Sequence, residues 1–335
     1  MLRILHGTRY DFIRWWRWAA GLTIAFILLG LATIAITGGF RYSIEFTGGT
    51  LMQLSFRRAP DVARLRSALD AGGLHSAEIT RFGDDTTYTV RVQSDTGSAG
   101  AEAVARRVEA VLTGAVGEGA FAVVRTEGVG PKVGAELRRG ALIAIAISFA
   151  VTLIYLAWRF EWRFGLAADI ATFHDILTTI AFIKLMDLEI SLTVIAALLT
   201  VLGYSLNDTI IIFDRVRENL RKNRREPLYE TLNRSVNETL PRSILTHATT
   251  LATTIALLIF AGEVIRPFAW VMAFGIFTGT FSSIYVASPI LLWIERKYPR
   301  ADTAKGGGAS PRPVVKRSEP ARKGGPVKTS EPARP

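Results

Sequence analysis

Asp208 draws attention through its surroundings. The run LLTVLGYSLNDTIIIF, Leu198–Phe213, is apolar enough for hydrocarbon, yet it holds Asn207 and Asp208 side by side. A carboxylate near the middle of a membrane helix costs on the order of 2.5–3.5 kcal/mol on insertion scales, and such groups face the bundle interior and mark proton or ion routes. Thr200, Tyr204 and Asp208 recur at helical spacing with Gly203 and Asn207 beside them, so one side of this helix reads as polar and small. A second stripe follows in PRSILTHATTLATT, where Arg242, Thr246, Thr249, Thr250 and Thr253 share a face. Consecutive antiparallel helices bring Asp208 and Arg242 to matched depth, which predicts an ion pair. The guanidinium favours ionised aspartate and burial opposes it. Asp208, held between these pressures, is expected to take up and release a proton while Arg242 tunes it. A static pair that only fixes helix packing is the competing reading. The threonines weigh less, because threonine also bonds within its own helix or joins neighbours.

Three further groups lie in the next apolar stretch: Asp169, His174 and Asp175. His174–Asp175 suggests a metal site or a proton relay. Adjacent helical residues point to different faces, and no third ligand follows at a suitable spacing. Asp175 is therefore expected as a polar interior contact, no metal or cofactor is expected beyond protons as coupling ion, and Asp169 is left unassigned. The chain has no cysteine, which excludes thiol catalysis and cysteine metal sites. An intramembrane aspartyl protease built on Asp175 and Asp208 needs two close carboxylates in a different local context. An enzyme is not expected.

These residues must be positioned by membrane helices. Of the 335 residues, 49% are apolar, bunched into stretches near the ~20 residues that cross a bilayer. Six spans are predicted at 18–37, 139–158, 165–183, 190–213, 243–261 and 268–293. The first apolar run exceeds the ~7–15 residues of a signal h-region and lacks a clear cleavage site, so it is expected to be retained. The net charge of +11 concentrates in residues 1–17, the Arg159–Arg163 turn, a basic loop at 214–242 and a tail at 301–335. The positive-inside rule then predicts both termini and these segments in the cytoplasm. Lipid headgroups account for the basic charge, and no specific nucleic acid is expected. The Gly275–Gly279 pair in GIFTG permits close helix approach.

The segment 38–138 falls outside the membrane on the opposite side. Tyr42–Phe46 and Leu51–Phe56 have strand character, and Asp61–Ala71 places Val62, Leu65 and Leu69 on one helical face. Ala77–Phe82 and Thr87–Val92 form a hairpin across GDDT. Ala101–Leu112 is amphipathic and a strand follows at Phe121–Thr126. From Leu51 the order is β-α-β-β-α-β, a split βαβ of the ferredoxin-like kind. The fold class is thus a polytopic α-helical membrane protein with a small α+β ferredoxin-like extracytoplasmic domain. The tail, rich in Gly, Pro, Lys and Ser, is expected to be disordered.

SIEFTGGT (Ser43–Thr50), VGPKVGAEL (Val129–Leu137), YLAWRFEWRFGLAADIATFHDILTT (Tyr155–Thr179), GYSLNDTIIIFDRVREN (Gly203–Asn219) and VNETLPRSILTHATTL (Val236–Leu251) resemble the signature motifs of the SecF family. The resemblance covers about Arg14 to Tyr298. It implies half of an RND-like transporter that pairs with SecD, uses the proton-motive force, and helps pull preproteins through the SecYEG channel after SecA has pushed. It also implies a multi-pass protein of the bacterial inner membrane. In that family the aspartate of the NDT-type motif and the arginine of the PRS-type motif belong to the proton path, and these positions are Asp208 and Arg242 here. The family's DFTGG motif reads EFTGG in this chain, so Glu45 keeps the acid with one more methylene, ahead of Gly48 and Gly49. The glycines suit a tight backbone turn at the membrane surface. Two alternatives remain: an RND-like half-transporter for lipid or small molecules, and a passive scaffold for SecD or the channel.

Overall fold

The structure is a computed structural model that describes residues 7–75, 77–92, 100–223 and 225–298. The segment 301–335, expected as a disordered tail, lies outside the described residues. After a short 3₁₀ turn, Ile13–Trp15, the chain forms α1 (Trp16–Thr37), a four-residue α2 (Ile44–Thr47), β1 (Gly49–Phe56), α3 (Val62–Ala71), β2 (Glu78–Arg81), β3 (Thr87–Val92), α4 (Ala101–Val116) and β4 (Phe121–Val129). Long helices follow: α5 (Pro131–Arg159), α6 (Trp162–Leu185), α7 (Leu192–Lys222), α8 (Leu228–Phe260) and α9 (Arg266–Ser282). A π turn, Ser283–Ala287, leads into α10 (Ser288–Lys297). Among the described residues six helices are long and apolar enough to cross a membrane: α1, α5, α6, α7, α8 and the α9–α10 rod.

The small domain is built by alternation. Along β1 and β3 every second side chain is buried, the period of a half-covered strand. Met52, Leu54, Phe56 and Val90 meet Leu65 and Leu69 of α3 and Val108 and Leu112 of α4 in one core. The sheet order is β2-β3-β1-β4 with every neighbour antiparallel. Strand β3 thus lies between the two strands joined through α3, an arrangement compatible with the ferredoxin-like plan. Asp61 caps α3 by accepting from the amides of Ala63 and Arg64. The β2–β3 hairpin turns on Asp84, whose carboxylate accepts from the Thr86 and Thr87 amides.

Two local expectations differ. Tyr42–Phe46 is not a strand: Tyr42 makes one bridge to Ile190, and Ile44–Thr47 closes into a turn of helix that ends at Gly48. The stretch 214–242, expected as a loop, is helical over most of its length. α7 runs on to Lys222 and α8 starts at Leu228, because apolar residues continue at helical spacing and bury Val216, Leu232 and Val236. Ion pairs decorate these extensions, such as Arg215–Glu238 at 2.6 Å and Arg234–Glu226 at 2.6 Å.

The domain hangs from the end of α1 and the start of α5, which defines a domain side and a far side. On the far side, residues ahead of α1 lie along α8. The Tyr10 amide donates to Asn237 Oδ1 at 2.9 Å, Asn237 Nδ2 donates to the Tyr10 carbonyl at 2.8 Å, and the Ile13 amide donates to Asn233 Oδ1 at 3.1 Å. On the domain side, buried Lys184 of α6 donates to the Gly39 carbonyl just past the end of α1 at 2.5 Å. Between them α1 and α6 approach so closely that a Cβ at Gly30 would lie 2.4 Å from that of Ala181. The expected close approach at GIFTG is made by α9 on α7: Gly275 faces Val201 and Gly279 faces Ser205.

Candidate functional site

Asp208 lies on the buried face of α7 with Ser205, Thr209 and Ile212, spaced by three and four residues. It is 2% exposed. Ser243 Oγ of α8 donates to its Oδ1, and Oδ2 is buried with no hydrogen-bond partner. A carboxylate offers about four lone-pair sites, so this one is far from satisfied. His247 follows Ser243 one turn along α8, lies within electrostatic reach of Asp208 and packs edge-on against Tyr204 with ring centroids 5.2 Å apart. Its Nδ1 is buried and also lacks a partner. Each buried polar group left unmade costs about 1–3 kcal/mol. The pocket therefore holds a carboxylate, an imidazole and a hydroxyl with hydrogen-bonding capacity to spare, a composition suited to passing a proton.

Arg242 was expected opposite Asp208. It is instead exposed, and among the described residues it forms no salt bridge. Successive helical residues are turned by about 100°. Once Ser243 faces Asp208, Arg242 must point away. Asn207 is exposed for the same reason. Tyr204 joins the two stripes: its hydroxyl donates to the Thr246 carbonyl at 2.9 Å and lies 2.9 Å from Thr250 Oγ1. The hydroxyls of Thr246, Thr249, Thr250 and Thr253 bond back to carbonyls of their own helix. Thr200, Gly203 and Asn207 of α7 and Arg242, Thr246 and Thr249 of α8 together present a small, polar, exposed face at membrane depth.

Asp175 is a separate centre, 1% exposed. Its Oδ2 accepts from Ser205 Oγ of α7 and from Ser282 Oγ of α9, the latter at 2.7 Å. Its Oδ1 is 3.1 Å from Nδ1 of His174. The adjacent pair thus meets, contrary to the expected divergence. Asp169 is half-buried, and its Oδ1 has no partner. Among the described residues no group of three or more His, Asp or Glu side chains converges to hold a metal ion.

The glycine motif sits elsewhere, at the domain side. Glu45 Oε2 accepts from the Leu192 amide at 2.6 Å, the first residue of α7, and from Ser43 Oγ at 3.1 Å. Ser191 adds its own cap to the Val194 amide. Gly48 has φ of 75° and Gly49 of 121°, conformations that suit glycine. A Cβ at Gly48 would sit 3.0 Å from Pro131 Cα, so the turn packs directly on the start of α5. Glu45, Gly48 and Gly49 therefore join the domain to α5 and α7 rather than to either buried carboxylate.

Sequence reasoning found both carboxylates by their charge. It missed Ser205, Ser243, His247 and Ser282, the groups that touch them or share their pocket. Ser243 and His247 carried a signal in their four-residue spacing, one position round from the threonine stripe.

Comparison with known proteins places these features. The family described as "Protein export membrane protein SecD/SecF, C-terminal" matches residues 108–297, and the family described as "SecD/SecF GG Motif" matches residues 34–60. The protein translocase subunit SecF of Gemmatimonas aurantiaca is 62% identical over 309 residues, covering 91% of this chain and 92% of that one. The SecF subunit of Escherichia coli O157:H7 is 38% identical, covering 87% and 90%. The crystal structure of SecDF from a Thermus species, a translocon-associated membrane protein, superposes with a TM-score of 0.77 at 37% identity. It covers 88% of this chain, and the chain spans about two fifths of that longer protein, 40%. On these matches the chain belongs to the SecD/SecF family of protein export membrane proteins.

Proposed function

We propose that this protein is the SecF half of a SecD–SecF pair that uses the proton-motive force to promote late steps of preprotein movement through a SecYEG channel, after SecA-driven steps. Asp208 is the switch. The observation that carries this reading is its buried, half-satisfied carboxylate, held by Ser243 one helical turn from His247, whose Nδ1 is buried without a partner. One charge crossing 100 mV yields about 2.3 kcal/mol, enough to bias two arrangements of the α7–α8 pair several-fold per proton. Pro241, inside α8 two residues before Ser243, removes a helix hydrogen bond and gives that pair a place to bend.

The domain side is extracytoplasmic and the far side cytoplasmic. The far side carries Arg159, Arg163, Arg217, Arg221 and Lys222 at helix ends, as the positive-inside rule requires. The membrane is the bacterial inner membrane. The polar face of α7 and α8 is where SecD docks. An exposed Arg242 facing lipid costs on the order of 2.5–3.5 kcal/mol, and a partner helix removes that cost while bringing the guanidinium into the shared proton path.

The test uses inverted membrane vesicles that carry this chain with SecD. Release of a stalled preprotein is followed with and without a proton gradient, for the native chain and for Asp208→Asn. The gradient-dependent part is expected to vanish in the variant at unchanged protein level and SecD pairing. Full gradient-dependent release in Asp208→Asn would leave Asp208 a packing residue and remove the motor reading of this chain.

A further inference from the structure

We propose that Asp175, together with His174, is a second proton-holding site, placed between the domain side of the membrane and Asp208. The inference rests on the proton-driven reading above and adds an upstream site to it. Three helices converge on this carboxylate. Ser205 of α7 and Ser282 of α9 both donate to Oδ2, and His174 of α6 faces Oδ1. Thr178 and Thr179, one turn on, donate to the backbone carbonyl of Asp175 and leave its side chain alone. Among the described residues no lysine or arginine pairs with it, and its one ion-pair partner is His174. A carboxyl and an imidazole enclosed together without a fixed counter-charge hold one proton between them readily.

The imidazole supplies the way in. His174 Nδ1 is occupied by Asp175, while Nε2 is buried and without a partner. A proton arriving at Nε2 releases the proton on Nδ1 to Asp175 Oδ1. The imidazole returns neutral with its tautomer exchanged, and the carboxylate becomes the acid. Depth places this pair upstream. At about 1.5 Å per residue, Asp175 is about 15 Å from the domain-side end of α6 at Leu185, and Asp208 is about 24 Å from the domain-side end of α7 at Leu192. Ser205, which holds Asp175, lies one turn from Asp208 on the same buried face of α7. Onward transfer is to Asp208 Oδ2, the oxygen that has no donor.

The backbone beside the site is unusual as well. Ser282 is the last residue of α9, and the π turn begins at Ser283, whose hydroxyl meets Thr209 Oγ1 of α7 at 2.7 Å. π turns within helices recur at functional sites. Here the turn delivers two successive hydroxyls, one to Asp175 and one to the residue next to Asp208.

Asp175→Asn separates a proton site from a packing residue. The amide oxygen still accepts from Ser205 and Ser282, and the amide NH₂ still reaches His174, so a packing role tolerates the change. Gradient-dependent preprotein release in vesicles with SecD is expected to fall by about a hundredfold, the low end of what a positioned proton-transfer group contributes. Infrared difference spectra across a pH titration are expected to lose a protonated-carboxyl band in Asp175→Asn that Asp208→Asn retains. Undiminished release in Asp175→Asn, with Asp208→Asn inactive, overturns this inference and leaves the proton-driven reading standing. Undiminished release in Asp208→Asn removes the proton-driven reading, and this site with it, whatever Asp175→Asn does. Should Asp175→Asn fail to accumulate, Ser282→Ala keeps the carboxylate and its Ser205 bond. Its gradient effect is expected to shift in pH optimum, and an unmoved optimum overturns the proposal.

Discussion

Asp11 shows how one side chain fixes a segment that has no regular structure. It accepts from the Tyr229 hydroxyl at 2.6 and 2.8 Å, from Asn233 Nδ2 at 2.9 Å and from the Arg14 amide at 3.2 Å. Partial burial pushes its carboxyl up. The donors, led by Tyr229, outweigh burial and hold it below the ordinary aspartate range. A depressed value means that the charged form is favoured by the folded arrangement, so its contribution is full above the unfolded value near ~3.9 and is lost as pH falls through the lower folded value. Amide exchange at Tyr10 and Ile13 is expected to be slow at neutral pH and to lose that protection in acid. Asp11→Asn is expected to lose it already at neutral pH, and equal protection in both proteins would show that the asparagines alone hold the segment. The same scale explains what the sequence hid at the buried centre. Charge marks Asp208 and Asp175 in any apolar run, whereas the azimuth that sends Ser243 inward and Arg242 outward follows from how α7 and α8 face each other.

At the scale of elements, α7 is the piece on which everything converges. Its first amide is capped by Glu45 from the domain tether, its middle carries Ser205, Asp208 and Thr209, and its last turns extend past the predicted span. Caps of this kind contribute about 0.5–2 kcal/mol, and a negative charge at a helix N-terminus adds to them. Glu45→Ala is expected to raise amide exchange at Leu192 and to weaken the gradient-dependent part of release, while Glu45→Gln, which keeps an acceptor of the same reach, restores most of both. If alanine matches the native chain in both measurements, the tether does not act through α7. The six spans were legible in sequence because a run of apolar residues near ~20 long has few other uses. Their extents were less legible: the water-exposed turns of α7 and α8 are amphipathic and charged, and read as loop until their apolar positions find Val216 and Leu232 in a common core. The segment Tyr42–Phe46 misled for a related reason. Its aromatic and β-branched residues favour a strand, but docking on Ile190 and the glycine turn at Gly48 wind it into a helical turn.

For the whole molecule, the polar face formed by Asn207, Arg242 and the threonines sets opposite expectations in two contexts. In the chain alone, Arg242→Leu removes a charge from lipid and is expected to lengthen the protein's half-life in the membrane, by a term on the order of 2.5–3.5 kcal/mol at full exposure. With SecD present, the same change is expected to abolish gradient-dependent release. Pulse-chase decay with and without SecD measures the first, and the vesicle assay the second. A shorter half-life for Arg242→Leu in the lone chain would mean that this face meets water rather than lipid. The close seats of Gly30 on Ala181 and of Gly279 on Ser205 hold α1 against α6 and α9 against α7. The strap ahead of α1 adds a contact of another kind. One end of α1 is pinned to α8 through Asn233 and Asn237, and the other is pinned to α6 by Lys184 at the base of the domain. A helix scarcely stretches, so α1 works as a tie-rod. Travel of α8 along the axis of α1 at the far side is therefore expected to reach the domain's root as a pull along the rod. Severing the chain between Arg14 and Trp18 is expected to slacken that rod, since the bonds to Asn233 and Asn237 lie ahead of the cut.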